Sequence, residues 1–182
     1  MKKQLNKLET PAFYICCFFI YCFIGWVYEV ITMYHLGFGF VNRGFLHGCY
    51  LPIYGFSALF FILIFGKTAQ RKFKVRKISF TPLIIFLLVF ITSSVIEYSA
   101  SYILEKCFNL KLWSYNSYKY NLNGRIALES SIYFGIGGLV IFYIVQPVMQ
   151  KIRKHIKPEI TIACGLIISA VMISDFIITI SH

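Results

Sequence analysis

Four acids stand inside stretches that are otherwise apolar. Glu29 is the single charge of AFYICCFFIYCFIGWVYEVI (12–31), and Asp175 is the single charge of residues 160–180. Glu97 lies late in TPLIIFLLVFITSSVIEYSASYIL (81–104), and Glu129 stands at the start of a further apolar run. Two arginines flank them, Arg43 in NRGFLHG and Arg125 in NGRIALE. Guanidinium and carboxylate form short, charge-assisted and often bidentate hydrogen bonds, while a carboxylate without such a partner takes up a proton or a cation. Glu97, Ser101 and Glu105 step by four and share one helix face, and Arg125 and Glu129 have the same spacing, which predicts a shared face on the next helix. Asn42, His47, Tyr98, Trp113 and Asn123 lie close to these residues in sequence. Together they suit a binding site for a small polar or charged solute. Arg43, Arg125, Asn42 and Asn123 would supply hydrogen bonds, and Glu29, Glu97 and Glu129 cation or proton sites.

The elements that must position these residues follow from composition. Apolar residues make up 58% of the 182, above the roughly 45–50% of a soluble domain. Charged residues are only 14%, and the mean hydropathy is +0.71. Runs of about 20 apolar residues are long enough to cross a bilayer. Several in so short a chain leave too little polar surface for a soluble fold. The sequence therefore reads as an all-α, polytopic membrane bundle forming a single domain over 1–182. Its five transmembrane helices lie at about 12–34, 49–66, 81–104, 127–149 and 159–180. The first run follows Lys2, Lys3 and Lys7 as a signal peptide would, but it exceeds the 7–15 residues of such a core, and no A-x-A-like site follows it. It reads as a retained helix. The glycines of GIGG (135–138) suit close helix approach, which is how membrane bundles pack.

Basic residues set the direction. Lys2, Lys3 and Lys7, then Lys67, Arg71, Lys72, Lys74, Arg76 and Lys77, then Lys151, Arg153, Lys154 and Lys157 are thirteen of the eighteen. By the positive-inside rule these segments are cytoplasmic, with the N-terminus inside and the C-terminus outside. The expected location is the cell (cytoplasmic) membrane, as a multi-pass protein whose net charge of +11 faces anionic lipid headgroups. Nucleic acid is not an expected partner, because the charge alternates with the spans and no base-reading motif accompanies it. Six cysteines form no C-x-x-C pair and read as buried, inert thiols. FGKT (65–68) lacks the upstream glycine of a phosphate loop, position 61 being Phe. No metal is expected from four scattered histidines, and no cofactor.

All four acids then fall in the outer half of the bilayer. An ionised group there is expensive and usually faces a cavity or a partner. The expectation is one polar, outward-facing chamber gathering Glu29, Glu97, Glu129, Arg43 and Arg125. A weak internal repeat agrees with it: residues 12–66 and 81–149 each carry a late glutamate, an outer loop with Asn, Arg and Gly, and a span with Tyr and Gly. Aligned on the arginines, His47 matches Glu129 and Gly55 matches Gly137. Two parallel pairs plus one extra helix result. The alternative function is an intramembrane enzyme acting on a lipid or lipid-linked substrate at the outer leaflet. There a glutamate would be general base, His47 its partner, and the arginines would hold phosphate.

The motifs Glu29, Asn42–Arg43–Gly44, PIYG (52–55), Glu97–Tyr98, Trp113–Ser114–Tyr115 and NGRI (123–126) resemble those of small bacterial membrane proteins, the ABC-transporter permeases of the CmpB type. The resemblance covers roughly 12–150. The family pattern has Trp-Asp-Tyr where this chain has Trp-Ser-Tyr, so one outer-loop acid is missing here, and it has a proline at Cys49 or its neighbour. The resemblance implies a permease component served by a separate ATPase docked on cytoplasmic loop 67–80 or 151–158. Five small helices make a thin bundle, which suits a homo-oligomer.

Overall fold

The computed structural model describes residues 2–75, 78–111 and 113–181. Arg76, Lys77 and His182 lie outside the described residues. The chain is 76% helical. Its helices are α1 (Lys2–His35), α2 (Pro52–Gln70), α3 (Thr81–Phe108), α4 (Leu128–Val140), α5 (Gln146–His155) and α6 (Pro158–Ser181). Five helical segments are long and apolar enough to cross a membrane: Lys7–His35, Pro52–Gln70, Thr81–Phe108, Leu128–His155 and Pro158–Ser181. Two short antiparallel hairpins connect them, β1 (Lys74–Val75) with β2 (Ile78–Ser79), and β3 (Asn121–Leu122) with β4 (Ile126–Ala127).

Boundaries shift from the sequence reading for local reasons. The first helix already begins at Lys2, so the amino-terminal lysines are helical, and Pro11 lies within it. The second begins at Pro52 rather than 49, with proline at its first position, where its missing N–H leaves no bond unmade. The fourth span joins α4 to α5 through a π-helical turn, Ile141–Val145, just before Pro147. Proline lacks the N–H that a regular helix needs and its ring crowds the preceding turn, and a π-turn widens the helix at that point.

The chain forms two compact units, Met1–Phe60 with Val145–His182, and Phe61–Ile144. In the first, Gly165 of α6 lies against the backbone of Ala12 in α1, and Gly55 of α2 lies against Phe18 and the Cys22 sulfur. Cys22, Leu46 and Tyr50 form the buried cluster there, with Phe18, Phe19 and Met172 packed against it. In the second, Gly135 and Gly138 of α4 receive Phe86 and Val89 of α3. Ile85, Val89 and Phe142 form its core. A serine pair, Ser94 donating to Ser131 at 2.8 Å, ties the same two helices. Burial of the thiols holds for Cys17 and Cys22 but not for Cys49, Cys107 and Cys164, which are exposed.

The three glycines of GIGG have different surroundings. A Cβ on Gly138 would meet Val89 at 2.8 Å, whereas one on Gly137 meets nothing within 4 Å. Gly138→Val is therefore expected to destabilise by about 1–3 kcal/mol, the range for overpacking, while Gly137→Ala is expected to be neutral. Thermal melting of both variants in detergent tests this, and equal losses would contradict the packing described.

Candidate functional site

Each compact unit carries its own cluster of polar side chains, one around the connection that follows α1 and one around the connection that follows α3. In the first unit, Gly25 leaves room on α1 for the ring of Tyr54, since any Cβ there would strike that ring. The ring reaches one turn along α1, and its hydroxyl donates to Glu29 Oε1 at 2.6 Å. Arg43 Nε lies 3.6 Å from the other oxygen, Oε2. Asn42 bridges the loop, accepting from the Trp26 indole at 2.7 Å and donating to the His47 carbonyl. Gly44 has φ 121°, a conformation that favours glycine, with the Leu51 side chain against it.

Asp175 of α6 is the hub of this unit. It accepts from the backbone N–H groups of His47 (3.2 Å) and Gly48 (3.0 Å) and from the Tyr50 hydroxyl (2.5 Å). His47 Nδ1 lies 3.1 Å from the same carboxylate and 3.0 Å from Thr179 Oγ1. Burial pushes the Tyr50 phenol above its ordinary range and its bond to Asp175 raises it further, so it stays a donor.

In the second unit the loop after α3 folds back over that helix. Asn123 and Gly124 have φ 55° and 64°. With the Arg125 N–H donating to the Leu122 carbonyl at 3.0 Å they form a two-residue turn with both central φ positive. Asn-Gly is the dipeptide such type I′ hairpin turns prefer. Arg125 consequently lies in the hairpin and not on α4, which starts at Leu128. The expectation that Arg125 and Glu129 share a helical face is overturned by this turn. The guanidinium instead reaches α3, bonding Glu105 at 2.6 Å and Ser101 at 3.2 Å, beside the rings of Tyr98 and Tyr102. The stepping of Glu97, Ser101 and Glu105 along one face is what lets the loop read all three. Trp113 donates to the Arg125 carbonyl at 3.0 Å, and Asn123 donates to the Tyr98 hydroxyl at 2.9 Å.

Tyr115 completes this cluster. Its hydroxyl donates to Glu97 Oε1 at 2.7 Å and lies 3.1 Å from Ser130 Oγ, linking α3 to the first turn of α4. Burial raises this phenol too; the Ser130 hydroxyl works against that rise, and the bond to Glu97 adds to it. Two carboxylate oxygens are left over. Oε2 of Glu97 and Oε2 of Glu129 are buried without a hydrogen-bond partner among the described residues.

A family model described as "Putative ABC-transporter type IV" matches residues 16–180. The chain belongs to this family. It is a multi-pass membrane transport component that sits in lipid through five helices. No curated protein and no solved structure matches it. The matched span takes in α6, so Asp175 lies within the region shared with the ABC-transporter-type family.

The ion pairs and hydrogen bonds above join Glu29 to Arg43, His47 to Asp175, Glu105 to Arg125 and Asn123 to Tyr98, each within one unit. Tyr50, Tyr54, Tyr115 and Ser101 were not singled out from sequence as site residues, and Asp175 was noted only as an acid in a span. A lone acid late in an apolar run was the available signal for Asp175. For Tyr54 and Tyr115 the signal was their place in the PIYG and Trp-Ser-Tyr motifs, and for Tyr50 none existed, because Tyr at a membrane boundary is ordinarily an anchor.

The Arg125–Glu105 pair predicts a measurable coupling. Glu105 is 42% exposed and Arg125 14%, so a double-mutant cycle with Arg125→Ala and Glu105→Ala should give about 1 kcal/mol, the upper part of the exposed range. Strict additivity of the two single variants would show that the pair contributes nothing. Tyr50→Phe leaves a buried phenyl where Asp175 had a donor, and should lower stability by about 1–3 kcal/mol in the same melts.

Proposed function

We propose that this protein is the membrane-embedded part of a transporter in the cytoplasmic membrane of a bacterium, binding a proton or small cationic solute at the outer end of the α3–α4 pair. The observation that carries the proposal is the pair of buried, unpartnered oxygens on Glu97 and Glu129. A carboxylate oxygen held out of water without a donor costs several kcal/mol, and a proton or cation removes that cost. Charge argues in the same direction. Arg125 is taken by Glu105, so no arginine balances Glu97 or Glu129 in this cluster. Tyr115 connects Glu97 to Ser130, the neighbour of Glu129 in sequence, which supports a shared site. Glu29, Asn42, Arg43 and His47 form the corresponding outer surface of the first unit in this reading.

The internal duplication belongs to the same proposal. In each helical pair a late glutamate is held by a tyrosine hydroxyl, an arginine from the loop binds an acid of the first helix, and a tryptophan N–H donates to the loop. Gly55 lies against Phe18 as Gly135 lies against Phe86. This register also matches Glu29 with Glu97, and it replaces the Gly55–Gly137 match by Gly55–Gly135. The basic loops face the cytoplasm, where a separate ATPase and a second copy of the chain are the proposed partners.

The enzyme alternative fits less well. That reading pairs a glutamate general base with His47 and leaves the arginines to hold phosphate, but His47 Nδ1 lies against Asp175 and Thr179, and Arg43 and Arg125 are engaged by Glu29 and Glu105.

Carbodiimide labelling tests the binding site without knowledge of the solute, because it modifies protonated carboxyls in apolar surroundings. Glu97 and Glu129 should label before Glu29 and Asp175, read by peptide mass spectrometry. Glu97→Gln should abolish cation or proton flux in proteoliposomes at unchanged protein level. Should that variant only reduce abundance, Glu97 is structural and the proposal fails.

A further inference from the structure

At the basic end of the first unit, a cavity of about 470 Å³ opens between α1, α5 and the start of α6. Thr10, Gln150, Arg153 and Lys154 line it. Glu9 also lines it, but its carboxylate is engaged by the fork of Arg153, with Nε to Oε1 at 2.7 Å and Nη2 to Oε2. Arg153 Nη2 also donates to Thr10 at 2.9 Å, and the guanidinium lies over the Phe13 ring at 4.7 Å. Glu9 and Arg153 neutralise one another, so Lys154 leaves the cavity wall with one net positive charge. Lys151 and Lys157 are exposed on either side of it in sequence.

A second depression adjoins the first. It measures about 170 Å³ and is walled by apolar side chains of α1 and α6, among them Pro11, Ile15, Ile162 and Leu166. Their lining residues are neighbours in sequence on both α1 and α6. Glu9 and Thr10 line the cavity where Leu8 and Pro11 line the groove, and Pro158 lines the cavity one turn before Ile162. The groove exists because Gly165 brings α6 onto Ala12, leaving a crevice beside the contact.

We infer that this composite feature is a binding site for one anionic phospholipid. Its phosphate would sit in the cavity beside Lys154, with Thr10 and Gln150 as hydrogen-bond partners, and an acyl chain would lie in the α1–α6 groove. A basic cavity alone would suit any small anion. An apolar groove walled by residues next to those of the cavity suits an anion that carries a hydrocarbon chain. The pairing of Glu9 with Arg153 shapes the cavity floor, and Lys154 supplies the selectivity for negative headgroups.

Native mass spectrometry of the full-length protein, released from mixed phosphatidylglycerol and phosphatidylcholine, tests the site. Wild type should retain one phosphatidylglycerol in preference to phosphatidylcholine. Lys154→Gln should lower that retention about fivefold, one cation's attraction at an anionic surface. Ile162→Trp, which fills the groove, should lower it as well. Lys72→Gln, on the other basic loop, should leave it unchanged and so controls for diffuse attraction. Equal retention of both lipids would overturn the inference, as would equal effects of Lys72→Gln and Lys154→Gln. Full displacement by millimolar inorganic phosphate would assign the cavity to a free anion and overturn the lipid assignment.

Discussion

A carboxylate in a lipid-facing helix has no water to solvate it, and the polar cluster of each unit is organised around that constraint. The remedy is consistent: donors are returned to the acid by the segment that follows its helix. Glu29 of α1 receives Tyr54 and Arg43 from the loop and helix that come next. Glu97 and Glu105 of α3 receive Tyr115 and Arg125 from the connection to α4. Asp175 reverses the direction, drawing His47, Gly48 and Tyr50 onto the end of α6. The length of the α1–α2 and α3–α4 connections follows, since a chain that must fold back to reach a side chain cannot use a tight turn.

Small residues make those reaches feasible. Helices in lipid gain nothing from burying apolar surface against one another, so association depends on close backbone approach and on hydrogen bonds. Gly165 on Ala12, Gly55 on Phe18 and Gly138 on Val89 supply the first. Gly25 links the two effects, because the ring that fills its missing side chain is also the ring that delivers a hydroxyl to Glu29. The PIYG motif is thus one device, with Tyr54 binding the acid and Gly55 setting the distance.

The second unit departs from this full satisfaction at two atoms, one oxygen each of Glu97 and Glu129. Asp175 shows that the fold can surround an acid with donors when the position requires it. The contrast between a fully engaged carboxylate and two that each keep an unpartnered oxygen separates groups that hold helices together from groups with bonding capacity left over.

Much of this was written in the sequence. Apolar run length fixed five crossing helices, since hydrocarbon thickness sets element length. Spacing by four fixed the shared face of Glu97, Ser101 and Glu105, since helical pitch does not depend on context. Several residues of the motifs that carry the family resemblance, Glu29, Asn42, Tyr54 and Tyr115 among them, turn out to make specific contacts. Tertiary structure alone decided which partner each group takes. Arg125 looked paired with Glu129 by spacing, but a positive-φ Asn-Gly turn lifts it off the helix and sends it to Glu105. Tyr54 and Tyr115 stood in the PIYG and Trp-Ser-Tyr motifs with no partner legible, and only the return path of the chain brings their hydroxyls to Glu29 and Glu97. Periodicity follows from local backbone geometry and is legible along the chain, whereas hydrogen-bond partners depend on where distant segments come to rest.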